Sequence, residues 1–149
     1  MSLPDGEWFA ASQYVYSETW RGYAGSPETF ADAGRDHLGN QNFAVAMLFF
    51  GKSIDLLHTL YTDGGGGTRT RQPSAVDLAI TSGFTESLAV ALETHPTAPV
   101  AEPVREATHR LRTISSACRR AGVSADLYLN ALGDIATASP SVNVDDILW

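Results

Sequence analysis

The amino-acid sequence predicts an all-α fold of about six helices, arranged as antiparallel hairpins or as a helical bundle. Apolar residues recur at steps of three and four along most of the chain, which is the spacing of one helix face. Helix-starting and helix-ending residues separate these segments by mostly short connections. Because 149 residues suffice to bury one core, we expect residues 1–149 to form a single helical domain.

The first predicted helix covers residues 8–23, where the apolar residues are mostly aromatic. The apolar residues at near-helical spacing are Phe9, Tyr16, Trp20 and Tyr23. The neighbouring residues Tyr14 and Val15 would also suit a β-strand, so an extended alternative stays open for this segment.

The second and third predicted helices form a hairpin. The triplet Ser-Pro-Glu at 26–28 starts a helix, because Ser caps, Pro suits the first turn and an acid favours the positive end of the helix dipole. Gly39 and Asn40 should end it, since both tolerate the left-handed conformation. The third helix, about 42–61, is apolar on two sides, so we expect it to be the buried central helix.

A loop over residues 62–73 is predicted next. Four consecutive glycines at 64–67 make a helix there costly, so we expect a flexible hinge. Ser74 should cap the fourth helix, with Asp77 three residues on, and His95-Pro96 should stop it.

The last two predicted helices are about 102–121 and 124–140. The fifth has a heptad-like apolar seam, and the sixth is capped by Ser124 and closed by Pro140. The seam consists of Val104, Ala107, Leu111, Ile114, Cys118 and Ala121. A C-terminal tail, 141–149, follows.

The bulk composition narrows the function classes. A net charge of −7 opposes binding to phosphate backbones and anionic lipid, so we expect neither nucleic-acid nor membrane partners. A single cysteine allows no internal disulfide, and no targeting segment is visible, which favours a cytoplasmic protein. Lys52 is the chain's one lysine beside nine arginines, a bias we attribute to a bacterial genome.

The stretch from Ala33 to Ile54 resembles one tetratricopeptide repeat, a hairpin unit of about 34 residues. The family's small helix-A residue matches Gly34, and its small and aromatic helix-B positions match Ala46 and Phe50. Phe43 matches the aromatic that opens helix B, whereas His37 replaces the usual tyrosine.

The tetratricopeptide resemblance implies a scaffold that binds a peptide or helix of a partner. The groove-facing positions it implies are Glu28, Ala31, Arg35 and Leu38. The alternative is that these residues only pack one helix pair.

The same segment is similar to the central helices of HEPN-type bundles, which often act as RNases or their inactive partners in toxin–antitoxin or defence systems. Those enzymes place four to six residues between an Arg and a His. Arg105 and His109 have three residues between them, so the chain departs from the family motif.

The tail offers a second partner-binding candidate. Two acids precede three large apolar residues, a pattern that suits docking into a partner's groove: Asp145, Asp146, Ile147, Leu148 and Trp149. The alternative is that the apolar residues fold back onto the protein's own surface.

Two carboxylate–imidazole pairs have residue types that bind metal ions. Asp55 with His58, and Glu106 with His109, both have i, i+3 spacing, as in di-metal bundles. Glu106, His109 and Asp55 fall on predicted polar faces, so we expect no metal site and no cofactor. Arginines also recur every seven residues from Arg105, which suits either an acidic-partner face or a solvated helix surface.

The sequence therefore predicts no catalytic residues and favours a non-enzymatic protein–protein interaction or adaptor module, with a protein partner or a second copy of the chain. The alternatives are a HEPN-like bundle and a small-molecule-binding helical domain.

Overall fold

The computed structural model describes residues 27–62, 73–94, 96 and 100–140. In these ranges it contains helices and no strand: α1 (Pro27–Gly39), α2 (Phe43–Thr62), α3 (Ala75–Thr94), α4 (Ala101–Arg120) and α5 (Asp126–Ala138). The all-α prediction is confirmed, and the predicted limits of these five helices agree within a residue or two. The predicted helix over 8–23, residues 63–72 of the predicted loop and the tail 141–149 lie outside the described residues.

The turn between α1 and α2 ends the first helix where the sequence predicted, but through a different residue. The left-handed conformation belongs to Gln41, with φ of 65°, and not to Gly39 or Asn40 as expected. The backbone N–H of Asn42 donates to the carbonyl of His37 over 2.8 Å. That bond closes the turn and sends the chain back antiparallel to α1.

Helix α2 is the centre of the structure, as predicted. It packs against α1, α3 and α4, while α5 packs against α3 and α4. Helices α2, α3, α5 and α4 therefore form a four-membered ring, and α1 lies across α2 and α3. Full burial of an apolar side chain contributes roughly 1.5–3 kcal/mol. The fully buried side chains of α2 include Met47, Phe49, Phe50, Ile54 and Leu57.

A glycine on each side of Phe50 lets three helices approach closely. A Cβ at Gly34 of α1 would lie 3.0 Å from the Phe50 ring, and one at Gly83 of α3 would lie 2.4 Å away. The second distance is too short for any real side-chain carbon, so α3 reaches α2 here only because residue 83 is glycine. Gly34 and Phe50 were predicted packing positions, whereas Gly83 was not recognised.

One core cluster draws residues from all five helices, among them Ala31, Phe84, Leu111 and Ile135. A smaller cluster joins Phe30 to Phe49. The α4 seam is buried as expected from Val104 to Cys118. Ala121 is exposed because α4 ends at Arg120, so its assignment to the seam is wrong.

Two of the described helices, α2 and α3, are long and apolar enough to cross a membrane by length and composition alone. Helices at the core of a globular protein have the same properties, and both carry fully buried side chains such as Phe50 and Phe84. The observation is weak evidence for a membrane span.

Candidate functional site

A cleft of about 460 Å³ lies between α2 and α4 and is lined by ionisable side chains. Helical spacing explains the grouping, because residues three to five apart share one face of a helix. We call it the α2–α4 cleft; its lining consists of Asp55, His58, Arg105, Glu106, His109 and Arg110.

Ion pairs join the two walls of the α2–α4 cleft. Arg110 Nε lies 2.9 Å from Asp55 Oδ1, and Lys52 Nζ lies 3.2 Å from Asp55 Oδ2. Arg110 Nη1 also lies 3.6 Å from Glu106 Oε2 on the same helix. These side chains are between 28% and 57% exposed, so solvent screens each pair and it contributes at most about 1 kcal/mol to stability. Their effect is to hold both carboxylates beside cations.

Arg105 differs from Arg110 in having no carboxylate partner in the described part of the chain. Among residues 27–62, 73–94, 96 and 100–140, no carboxylate oxygen lies within 4.0 Å of its guanidinium group. Arg105 and His109 are both exposed and one helical turn apart, so both reach the cleft from α4. An arginine fork without an internal acid is suited to bind an external carboxylate or phosphate.

The charge around the α2–α4 cleft is opposite to that of the whole chain. Helix α4 contains five arginines and two glutamates, a net charge of +3, whereas the chain carries −7. Among the described residues, two arginines and two carboxylates line the cleft, and Lys52 beside Asp55 adds one further cation. The described surroundings of the cleft therefore have a small positive excess, whereas the whole chain is acidic.

The structure brings the two carboxylate–imidazole pairs of the sequence into this one cleft. In the part of the chain that the structure describes, no group of three or more His, Cys, Asp or Glu side chains could hold a metal ion. The cleft instead offers guanidinium and imidazole N–H groups, which are donors suited to an anion.

A second polar cluster, the Asp77 cluster, is buried at one end of the bundle. Asp77 is 0% exposed and accepts hydrogen bonds from the Tyr61 hydroxyl over 2.7 Å and from the Ser74 hydroxyl over 3.0 Å. The Tyr128 hydroxyl also donates to Asp77. The cluster ties α2, α3 and α5 together, and these donors offset the cost of burying a carboxylate.

Two residues at the Asp77 cluster, Tyr128 and Cys118, have raised pKa values. Burial, followed by the hydrogen bond to Asp77, raises the pKa of Tyr128 far above its usual range. Burial and the charge of Asp77 raise the pKa of the Cys118 thiol. Both groups therefore stay protonated at neutral pH. Cys118 is buried, as expected for a member of the apolar seam, and a buried thiol of this kind is unreactive.

Sequence reasoning treated Asp77 as half of a helix-capping pair and did not recognise the cluster. A signal was present, since Asp77 lies three residues before Ile80 and seven before Phe84 on the apolar face of α3. A carboxylate at such a position requires buried donors.

The predicted partner-binding residues of α1 lie in three different environments. Glu28 and Arg35 are exposed, and Arg35 pairs with Asp32 over 2.8 Å. Leu38 is half-buried and packs against the core. Ala31 is 2% exposed, so the expectation that it faces a groove is wrong. The remaining candidates, Asp145 to Trp149, lie outside the described residues.

Comparison with known proteins gives no match, whether with family models, curated proteins or solved structures. The tetratricopeptide and HEPN resemblances therefore stay hypotheses.

Proposed function

We propose that the protein is a non-enzymatic interaction module that binds an acidic segment of a partner protein in the α2–α4 cleft. The observation that carries the proposal is Arg105, an exposed cation that pairs with no carboxylate of the described residues and lines a cleft with two imidazoles. The two carboxylates of the cleft are already engaged by Lys52 and Arg110.

Charge asymmetry supports an acidic partner segment. The positive surplus of α4 on a molecule of net charge −7 attracts a negative group over short range and orients its approach. The remainder of the molecule repels a long polyanion. A short acidic segment fits both conditions better than a nucleic acid does.

The test measures binding of a fluorescein-labelled oligoglutamate peptide by fluorescence anisotropy. Arg105→Ala should weaken binding about tenfold, because a hydrogen bond to a charged group contributes roughly 1.5 kcal/mol. Glu106→Gln, one residue along the same helix, should strengthen binding, because it removes a repelling carboxylate. Salt should weaken binding to the unmodified protein.

Arg35→Ala on α1 is the matched control, since Arg35 is exposed and already paired with Asp32. It should leave the affinity unchanged. If Arg35→Ala weakened binding and Arg105→Ala did not, the α1 surface that the tetratricopeptide resemblance implies would replace the cleft.

A second candidate function, RNA cleavage by a HEPN-like bundle, is favoured by one observation. Arg105 and His109 line the same cleft as His58, so a cation and two imidazoles for proton transfer lie together. An RNase assay of the unmodified chain, with Arg105→Ala and His109→Ala as controls, tests it. Activity that survives both substitutions would come from a contaminant.

The small-molecule alternative gains no support from the cleft. Small-molecule sites are enclosed, whereas this cleft is open to solvent and includes exposed residues.

A further inference from the structure

We propose that the α2–α4 cleft is autoinhibited by the acidic tail of the same chain, through Asp145 and Asp146. The inference rests on the proposed function and adds the regulation of its site. A partner's acidic segment then binds by displacing the tail, so the affinity of the cleft for the partner depends on how strongly the tail competes.

The end of α5 lies level with the cleft residues of α4. Tyr128, near the start of α5, donates to Asp77, and Cys118, near the end of α4, is close enough to Asp77 to feel its charge. The packed helices α4 and α5 therefore run antiparallel. From Tyr128 to its last residue, α5 advances ten residues, about 15 Å. The same length along α4 leads from Cys118 back to the residue before His109, which lines the cleft.

The tail is long enough to reach the cleft from the end of α5. Asp145 and Asp146 follow Pro140, the last described residue, by five and six residues. An extended chain of this length spans at most about 17–22 Å, which is about twice the distance of roughly 8–10 Å between the axes of packed helices. The two acids can therefore cross α4 and reach Arg105 without any movement of the bundle.

Charge complementarity favours the tail as the occupant of the cleft. Residues 141–149 contain two acids and no basic residue, whereas α4 has a surplus of three positive charges. Arg105 is exposed and pairs with no carboxylate of the described residues. A guanidinium group forms strong, charge-assisted hydrogen bonds with a carboxylate, so Arg105 is a suitable partner for either aspartate.

The residue types that follow the two acids suit the same contact. Trp149 comes three residues after Asp146, and an indole ring stacks favourably on a planar guanidinium group. The tail therefore offers Arg105 both a carboxylate and an aromatic face.

Attachment to the same chain makes a weak contact sufficient. Two sites joined by a short connecting segment meet at an effective concentration on the order of 1 mM. A tail contact with a dissociation constant of about 0.3–1 mM would then weaken the binding of a competing ligand about two- to fourfold.

The test measures oligoglutamate binding by fluorescence anisotropy on two full-length double variants. Asp145→Asn/Asp146→Asn, the tail-neutralised variant, should bind oligoglutamate about two- to fourfold more tightly than the unmodified protein, because the tail no longer competes. Asp36→Asn/Asp134→Asn is the matched control. It changes the net charge by the same amount at exposed acids that form no ion pair with a described residue, so its effect should be smaller.

The position of the contact is tested at Arg105. The Arg105 Nε–H signal of the full-length, ¹⁵N-labelled protein should shift in the tail-neutralised variant and stay in place in the control. The shift should not depend on protein concentration, because the contact lies within one chain. Arg105→Ala should weaken oligoglutamate binding more in the tail-neutralised variant than in the unmodified protein, since in the latter it also releases the tail.

Three results would overturn the proposal. Equal affinities of the tail-neutralised variant and the control would show that the tail acts only through net charge, and would leave the acidic-segment function standing. A concentration-dependent shift of the Arg105 signal would show that the tail binds a second copy of the chain. If no variant bound oligoglutamate and the Arg105 signal did not move, both the autoinhibition and the acidic-segment function would fall.

Discussion

The Asp77 cluster and the α2–α4 cleft both gather polar groups from several helices, but they differ in contact with solvent. Asp77 is 0% exposed and its carboxylate accepts hydrogen bonds from the hydroxyls of Tyr61, Ser74 and Tyr128. In the cleft, Asp55 and Arg110 are 34% and 28% exposed and face each other as an ion pair. A buried polar group must be satisfied within the fold, whereas a solvated one is available to a ligand. We therefore expect the first to determine stability and the second to determine binding.

The largest expected effect is that of Asp77→Ala. Removing the carboxylate leaves the buried hydroxyls of Tyr61 and Tyr128 without their acceptor, which should lower the free energy of unfolding by about 2–4 kcal/mol. Chemical denaturation followed by circular dichroism measures it. Asp126→Ala, at an exposed acid in the first turn of α5, is the control and should cost less than about 1 kcal/mol. Equal costs for the two variants would show that the Asp77 cluster is not a special determinant of stability.

The next effect is a loss of stability at high pH. The pKa values of Cys118 and Tyr128 are raised in the folded protein from ordinary values of 9.0 and 10.0. Above these values the unfolded chain loses protons that the folded protein keeps, so stability falls as pH rises. The thiol should contribute from about pH 9 and the phenol from about pH 10, each by up to about 1.4 kcal/mol per pH unit.

Denaturation midpoints from pH 7 to pH 11 measure this alkaline loss. Tyr128→Phe should flatten the part of the profile above about pH 10, whereas Cys118→Ala should flatten the part that begins near pH 9. An identical alkaline slope in Tyr128→Phe and the unmodified protein would contradict the assignment to the Asp77 cluster.

The smallest expected effect on stability belongs to the cleft. Asp55→Asn breaks the pairs with Arg110 and Lys52, yet should change the free energy of unfolding by at most about 1 kcal/mol, because solvent screens exposed pairs. Denaturation and the oligoglutamate assay, run on the same variant, test this. A stability loss as large as that of Asp77→Ala would remove the distinction between the two regions.

Sequence reasoning recovered the helices because helix formation depends on spacing and caps within one segment. The apolar stripes of α2 and the end of α3 before His95-Pro96 are examples. It also identified both carboxylate–imidazole pairs and Arg105, for which it left an acidic-partner face and a solvated helix surface open. It could not place them in one cleft, because α2 and α4 are separated by more than 35 residues and their juxtaposition depends on the packing of the whole ring.

What the sequence determined by itself is therefore the set of helices, the buried character of α2 and the basic surplus of α4, since each follows from residues within one element. Tertiary structure alone decided which helices meet. It placed the Tyr61 and Tyr128 hydroxyls, 16 and 51 residues from Asp77, around one carboxylate, and it brought Gly83 against Phe50. Burial and proximity between distant segments arise from packing against the common core, and no local pattern contains that information.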